Sequence, residues 1–166
     1  MKTDLFDFQL PESLIATHPA MPRDSARMLV VSGRLNDRIV CEFPAFLKAG
    51  DVLVFNDTKV IPARLFGRRG DAAIEILLHK KIDEEAWQCF ARPAKKLKVR
   101  DIIIFAADFS AHVIEKRDDG QVILMFNQTG ERFRNLLSQH GHMPLPPYIE
   151  RTDNAEDREC YQTVYA

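Results

Sequence analysis

Three consecutive polar side chains, Asn56, Asp57 and Thr58, follow the apolar run VLVF at 52–55. An amide, a carboxylate and a hydroxyl in that order cluster donors and acceptors at one point. They suit gripping a ribose or polarising a leaving group. Ligands of α/β sheets bind just past the carboxyl ends of strands, where these residues would sit. The same residue types also make turns in which Asn56 or Asp57 bonds its own backbone, and both readings stay open. Arg64, in the mostly apolar stretch IPARL, needs a carboxylate or a phosphate as its partner.

A second concentration is GHMPLPPYIER at 141–151, where His142 and Tyr148 flank three prolines. Proline fixes φ near −65° and removes a backbone donor. The run is therefore expected to be stiff and extended, with Met143 and Leu145 projecting to different sides. Local physics reads it as a rigid tether; the PxxP spacing of Pro144 and Pro147 also fits a partner-domain ligand.

The third feature is charge. ARPAKKLKVR at 91–100 holds Arg92, Lys95, Lys96, Lys98 and Arg100 and no acid, and Arg68 and Arg69 form a shorter pair. Residues 61–117 carry twelve Lys and Arg against eight Asp and Glu, although the whole chain has a formal net charge of −1. Such a cluster either tracks phosphates or decorates a solvated turn. No aromatic RNA-binding signature accompanies it.

Other chemistries lack their marks. Cys41, Cys89 and Cys160 are far apart without CxxC spacing, so neither a disulfide framework nor a zinc site is expected. No HxH or HExxH spacing points to a metal, and there is no Walker loop, GxGxxG or GxSxG. The N-terminus MKTDLFDFQL does not read as a signal peptide, and no run approaches a membrane span. A cytoplasmic, soluble protein is expected. With 46% hydrophobic and 28% charged residues, the 166-residue chain has material for a core.

The elements that must position these residues fall into two textures. In the first 60 or so residues, LPESLIATHPA reads as a short helix, RMLVVS as a strand and GRLND as a polar turn. CEFPAFLKAG reads as a helix stopped by Gly50, and the run at 52–55 as a strand buried on both faces. This is an α/β pattern. Beyond it come AAIEILLHKK, EAWQCFARP, DIIIFA, FSAHVIEKR and GQVILMFNQ, short β-branched segments with a hairpin turn at Asp119-Gly120. They predict a small antiparallel barrel or sandwich. Thr129 is placed to cap a helix over 130–140 with Phe133, Leu136 and Leu137 on one face. ERTDNAEDRE at 150–159 is expected to be exposed.

Four segments in order carry a family resemblance. They are DFQLPESLIATHPAMPRDSARMLVV, GDVLVFNDTKVIPARLFGRR, GHMPLPPYIER and DRECYQTVYA. Together they resemble the S-adenosylmethionine:tRNA ribosyltransferase-isomerases of queuosine biosynthesis. The resemblance implies transfer and isomerisation of the ribosyl group of S-adenosylmethionine onto 7-aminomethyl-7-deazaguanine at the tRNA wobble position. Epoxyqueuosine would form, with adenine and methionine released and no metal needed. The implied partners are tRNA and S-adenosylmethionine as ribosyl-donor cosubstrate, with no membrane, and the full-length enzyme is expected to be a monomer.

The implied fold class is α/β plus all-β, a partial α/β domain with an inserted small antiparallel β-barrel. The expected divisions are 1–61, the start of the α/β domain; 62–141, the barrel; and 142–166, the return segment. Asp57 and His142 become the catalytic candidates, and Asn56, Thr58, Arg64, Tyr148 and Tyr161 the substrate-binding ones. Arg92, Lys95, Lys96, Lys98 and Arg100 become the tRNA-binding ones. Family members continue beyond the tyrosine-rich motif, so this chain is expected to be a truncated form, inactive alone. The competing reading is a non-catalytic RNA-binding or scaffold module.

Overall fold

A strand that alternates apolar and polar residues buries one face, and six such strands can close on themselves and leave no edge. Residues 64–126 do this. The computed structural model describes residues 2–162 and divides into two compact units, with the boundary between Asp57 and Thr58. The second unit is built on β3 (Arg64–Arg69), β4 (Ala72–Lys81), β5 (Ala86–Arg92), β6 (Ile102–Ala106), β7 (Phe109–Lys116) and β8 (Gln121–Phe126). They form a closed antiparallel barrel in the order β3-β4-β5-β8-β7-β6.

Inward positions supply the core. Leu65, Ile76, Cys89, Leu97, Ile103, Phe109, Val122 and Leu124 have no exposed surface. Bulges at 78–80, 104–106 and 113–115 bend the strands enough to close the barrel. Helix α1 (Gly130–His140) seals one end with Phe133, Leu136 and Leu137, as its periodicity predicts. Phe126 and Phe133 meet edge to face at 4.9 Å, and Trp87 stacks on Phe133 at 5.8 Å. Thr129 occupies the N-cap position but makes no side-chain capping bond. Asp119 and Gly120 both adopt positive φ, as the hairpin reading requires.

Strand β3 was not visible in the sequence. Only Leu65 of its six residues is fully buried, and three arginines with Gly67 mask the alternation. Gly67 is needed at the closure seam. A Cβ there would lie 2.8 Å from the carbonyl oxygen of Ile104, on β6.

The first unit holds a hairpin of β1 (Arg27–Ser32) and β2 (Arg34–Ile39) with short 3-10 segments. Strand β1 has the predicted bounds. Four expectations here need correction. GRLND is not a turn: Gly33, at φ 70°, reverses the chain alone, and Arg34–Ile39 pair as a strand. LPESLIATHPA forms one 3-10 turn, Glu12–Leu14, because two prolines confine it below the length that repays helix nucleation. CEFPAFLKAG forms a 3-10 helix over Val40–Phe46 with Pro44 inside it.

The run at 52–55 is not assigned to a strand, and Val52 and Val54 are 85% and 90% exposed. A strand buried on both faces needs strands beside it and layers above and below. The two-stranded hairpin of this unit supplies neither. Among the described residues, no helix is long and apolar enough to cross a membrane.

Candidate functional site

The proline run is where the barrel unit gathers its polar chemistry. His142 leaves α1 and joins β3 as a one-residue bridge: Arg64 N–H donates to the His142 carbonyl at 3.2 Å, and His142 N–H donates to the Arg64 carbonyl at 2.8 Å. Met143 and Leu145 are both buried, correcting the expectation that they diverge. The Leu145 N–H bonds to the Met143 carbonyl at 2.9 Å, and this tight turn about Pro144 brings both side chains inward. A second turn, Ile149 N–H to the Pro146 carbonyl at 2.9 Å, lifts Tyr148 into solvent at 61% exposure. Gly141 is required by crowding, because a Cβ would overlap the carbonyl oxygens of Pro62 and Leu137.

His142 is held on two sides. Its Nδ1 lies 2.8 Å from Asp153 Oδ1, and Phe66 meets its ring edge to face at 5.0 Å. An ionised carboxylate can only accept, so Nδ1 carries the proton and Nε2 is left for other work. The second oxygen of Asp153 accepts the Met143 N–H at 2.9 Å, which fixes the carboxylate. Phe66 and Asp153 are also walls of a cleft of about 380 Å³, lined further by Arg64, Glu75 and residues 150–152.

Arg64 pairs with Glu75 at 3.1 Å and donates to the Leu145 carbonyl at 3.3 Å. Arg151 pairs with Asp157 through two bonds of 2.6 and 2.7 Å, and Asp157 foremost among its neighbours holds it charged. Asp157 is only 4% exposed, so the expectation that 150–159 is all solvated is corrected: its acids anchor the segment. Asp153, Glu75 and Phe66 were missed by sequence reasoning. An acid nine or more residues from its histidine or arginine carries no local signal.

Thr58 is exposed and lies two residues before Val60. The side-chain amide of Gln162 accepts the Val60 N–H at 2.9 Å and donates to its carbonyl at 3.1 Å, as a neighbouring strand would. Tyr161 is half-buried beside it. Asn56 and Asp57 are exposed and lie in the first unit, just before its boundary with the second at Thr58.

The basic residues are not in this cluster. They occupy the last residue of β5 and the loop from there to β6, which contains a 3-10 turn at Ala94–Lys96. Arg92, Lys95, Lys96, Lys98 and Arg100 are exposed. Antiparallel connections alternate between the barrel's ends, so this loop lies at the end opposite the start of β3 and His142. Beneath the loop, Asp101 pairs with Arg69 at 3.0 Å. The Lys98 N–H first, and Arg69 after it, hold the Asp101 carboxyl below its ordinary range against the opposing effect of burial.

Comparison with known proteins adds a family. The model of the queuosine biosynthesis protein family matches residues 3–166. An S-adenosylmethionine:tRNA ribosyltransferase-isomerase of Rhodospirillum rubrum is 53% identical over the whole of this chain and 48% of its own length. The protein of that name from Erythrobacter litoralis is 50% identical over the whole chain and 49% of its own length. A crystal structure of S-adenosylmethionine tRNA ribosyltransferase from Thermotoga maritima is 39% identical, covering 82% of this chain and 48% of that one, with a TM-score of 0.42. The chain spans about half the length of the curated relatives it matches.

Proposed function

The chain belongs to the queuosine biosynthesis protein family, and from that premise we propose that its protein moves the ribosyl group of S-adenosylmethionine onto a tRNA wobble base. The acceptor is 7-aminomethyl-7-deazaguanine, the product is epoxyqueuosine, and adenine and methionine leave. S-adenosylmethionine serves as ribosyl donor and tRNA as acceptor, in the cytoplasm, with the enzyme working as a monomer. The sulfonium activates the adjacent carbon, so the protein's task is proton transfer and positioning.

One observation carries the site assignment: His142 is bound at Nδ1 by Asp153, and Asp153 and Phe66, which both contact the ring, are walls of a polar cleft. A histidine so held presents Nε2 in a fixed direction, as a general acid or base must. His142 moves the proton, either to the departing adenine or from the carbon beside sulfur, and Asp153 positions it. Asp57 is the second proton-transfer candidate, with Asn56 and Thr58 orienting the sugar. Tyr148 offers an exposed ring to a base, and Tyr161 lines the approach. Arg64 is engaged by Glu75 and the Leu145 carbonyl, which favours a role in shaping the cleft over direct capture of substrate. Arg92, Lys95, Lys96, Lys98 and Arg100 contact tRNA.

The test is incubation of the full-length protein with S-adenosylmethionine and tRNA carrying the aminomethyl base, reading adenine by chromatography and the modified nucleoside by mass spectrometry. Adenine and epoxyqueuosine should appear in equal amounts. Transfer of the methyl group instead, or tRNA binding with no adenine released, would refute the catalytic reading. The second outcome would favour the binding module, for which the exposed basic loop speaks.

A further inference from the structure

The barrel sorts its charge between its two ends. The turns after β3 and β7 and the loop after β5 share one end; the turns after β4 and β6, the start of β3 and α1 share the other. At the first end, residues 68–71, 92–101 and 116–121 hold nine Lys and Arg against four Asp, a balance of +5. At the second, residues 80–85, 107–108 and 130–134 hold four against five, a balance of −1.

Three of the nine cations serve the barrel itself. Arg69 pairs with Asp101 at 3.0 Å, Arg117 with Glu115 at 2.7 Å, and Lys116 donates to the Leu97 carbonyl at 2.7 Å. The other six, Arg68, Arg92, Lys95, Lys96, Lys98 and Arg100, are exposed and make no ion pair or side-chain hydrogen bond among the described residues.

The loop that presents most of them is fixed from below. Leu97 is fully buried in the barrel's end. The Lys98 N–H bonds to Asp101 Oδ2 at 2.7 Å, the Arg100 N–H to the Val113 carbonyl at 2.8 Å, and the Val113 N–H to the Asp101 carbonyl at 2.9 Å. Arg100 is held at φ 77°, a left-handed region that disfavours a non-glycine residue. A pre-shaped loop loses little freedom on binding. Residues 93–101 contain no aromatic to stack a base, so the loop suits phosphates without reading sequence.

His142 sits toward the opposite end, and the neighbouring cleft extends along β3 and β4 to Glu75, whose partner on β5 is Arg92. From Arg64, where His142 bridges, to Arg69, which pairs with Asp101 of the basic loop, β3 runs about 17 Å, several nucleotides of backbone. Resting on the tRNA reading above, we propose that this basic end is a second, sequence-blind anchor that grips the phosphates of the stem closing the anticodon loop. The His142 end meets the loop nucleotide.

The experiment measures binding of the full-length protein to RNA hairpins sharing one anticodon loop on a short or a long stem, across a salt series. Wild type should bind the long stem more tightly. Lys95→Glu with Lys96→Glu and Lys98→Glu should lower the long-stem salt slope by about three and leave the short stem unchanged. The neutral set Lys95→Gln, Lys96→Gln and Lys98→Gln should do the same to a lesser degree, and Trp87 fluorescence would check that both sets remain folded. Equal weakening on both stems, or an unchanged long stem, would overturn the anchor and leave the catalytic reading standing. Stem-dependent binding by a protein that releases no adenine would keep the anchor and remove the catalytic reading.

Discussion

The two ends of the barrel use charge in opposite ways. At the His142 end charges are matched, Arg64 with Glu75, Arg151 with Asp157 and Arg132 with Asp108, and Asp153 is bonded to the His142 ring. At the other end, six exposed cations make no ion pair or side-chain hydrogen bond among the described residues, on and beside a loop whose backbone is pinned. Matched charges build a polar cleft with a defined shape, the condition for orienting a small reactive group. Unmatched cations keep their full attraction for an external anion and their sensitivity to salt. On the function proposed, the difference would separate a place for chemistry from a place for grip.

Substitutions can break this contrast. His142→Gln should lower kcat by roughly 10²–10⁴ with little change in KM for tRNA, read by adenine release. Leu97→Ala should destabilise the barrel by about 2–5 kcal/mol in urea unfolding and loosen the basic loop, whereas Val54→Ala should stay within about 0.5 kcal/mol.

Acid gives a smaller effect. The Asp101 carboxyl is depressed by the Lys98 N–H and by Arg69, so its contribution is complete above the ordinary carboxylate range. That contribution is lost only as pH falls through the depressed value. The Lys98 amide should therefore stay protected from exchange at neutral pH and lose protection only in acid. Asp101→Asn should remove that acid transition. Least of all, Arg132→Gln breaks an exposed pair at the His142 end, which is expected to cost under about 1 kcal/mol and leave the RNA salt slope unchanged.

How much of this was legible follows from how far apart the partners lie. Strands β4 to β8 and α1 could be read because each carries its own periodicity and hairpin partners are close in sequence. Strand β3 could not, because Phe66 faces outward and Gly67 and Arg69 stand at inward positions, so Leu65 is its one buried apolar residue. The run at 52–55 was misread as a buried strand, since an apolar tetrapeptide does not say whether neighbouring strands exist to cover it.

At the site, the residue types were visible and the pairings were not. His142 stood out by its neighbours, but Asp153, which orients it, lay in a segment that looked like solvated acid. The basic loop was plain in composition. That it sits at the end away from His142 follows only from strand order.

The division between the ends is tested most directly by steady-state kinetics of the full-length protein with wobble-modified tRNA. The triple variant Lys95→Glu, Lys96→Glu, Lys98→Glu should raise KM for tRNA about tenfold or more while kcat stays near wild type. A fall in kcat at unchanged KM would place the basic end in the chemistry and contradict the account.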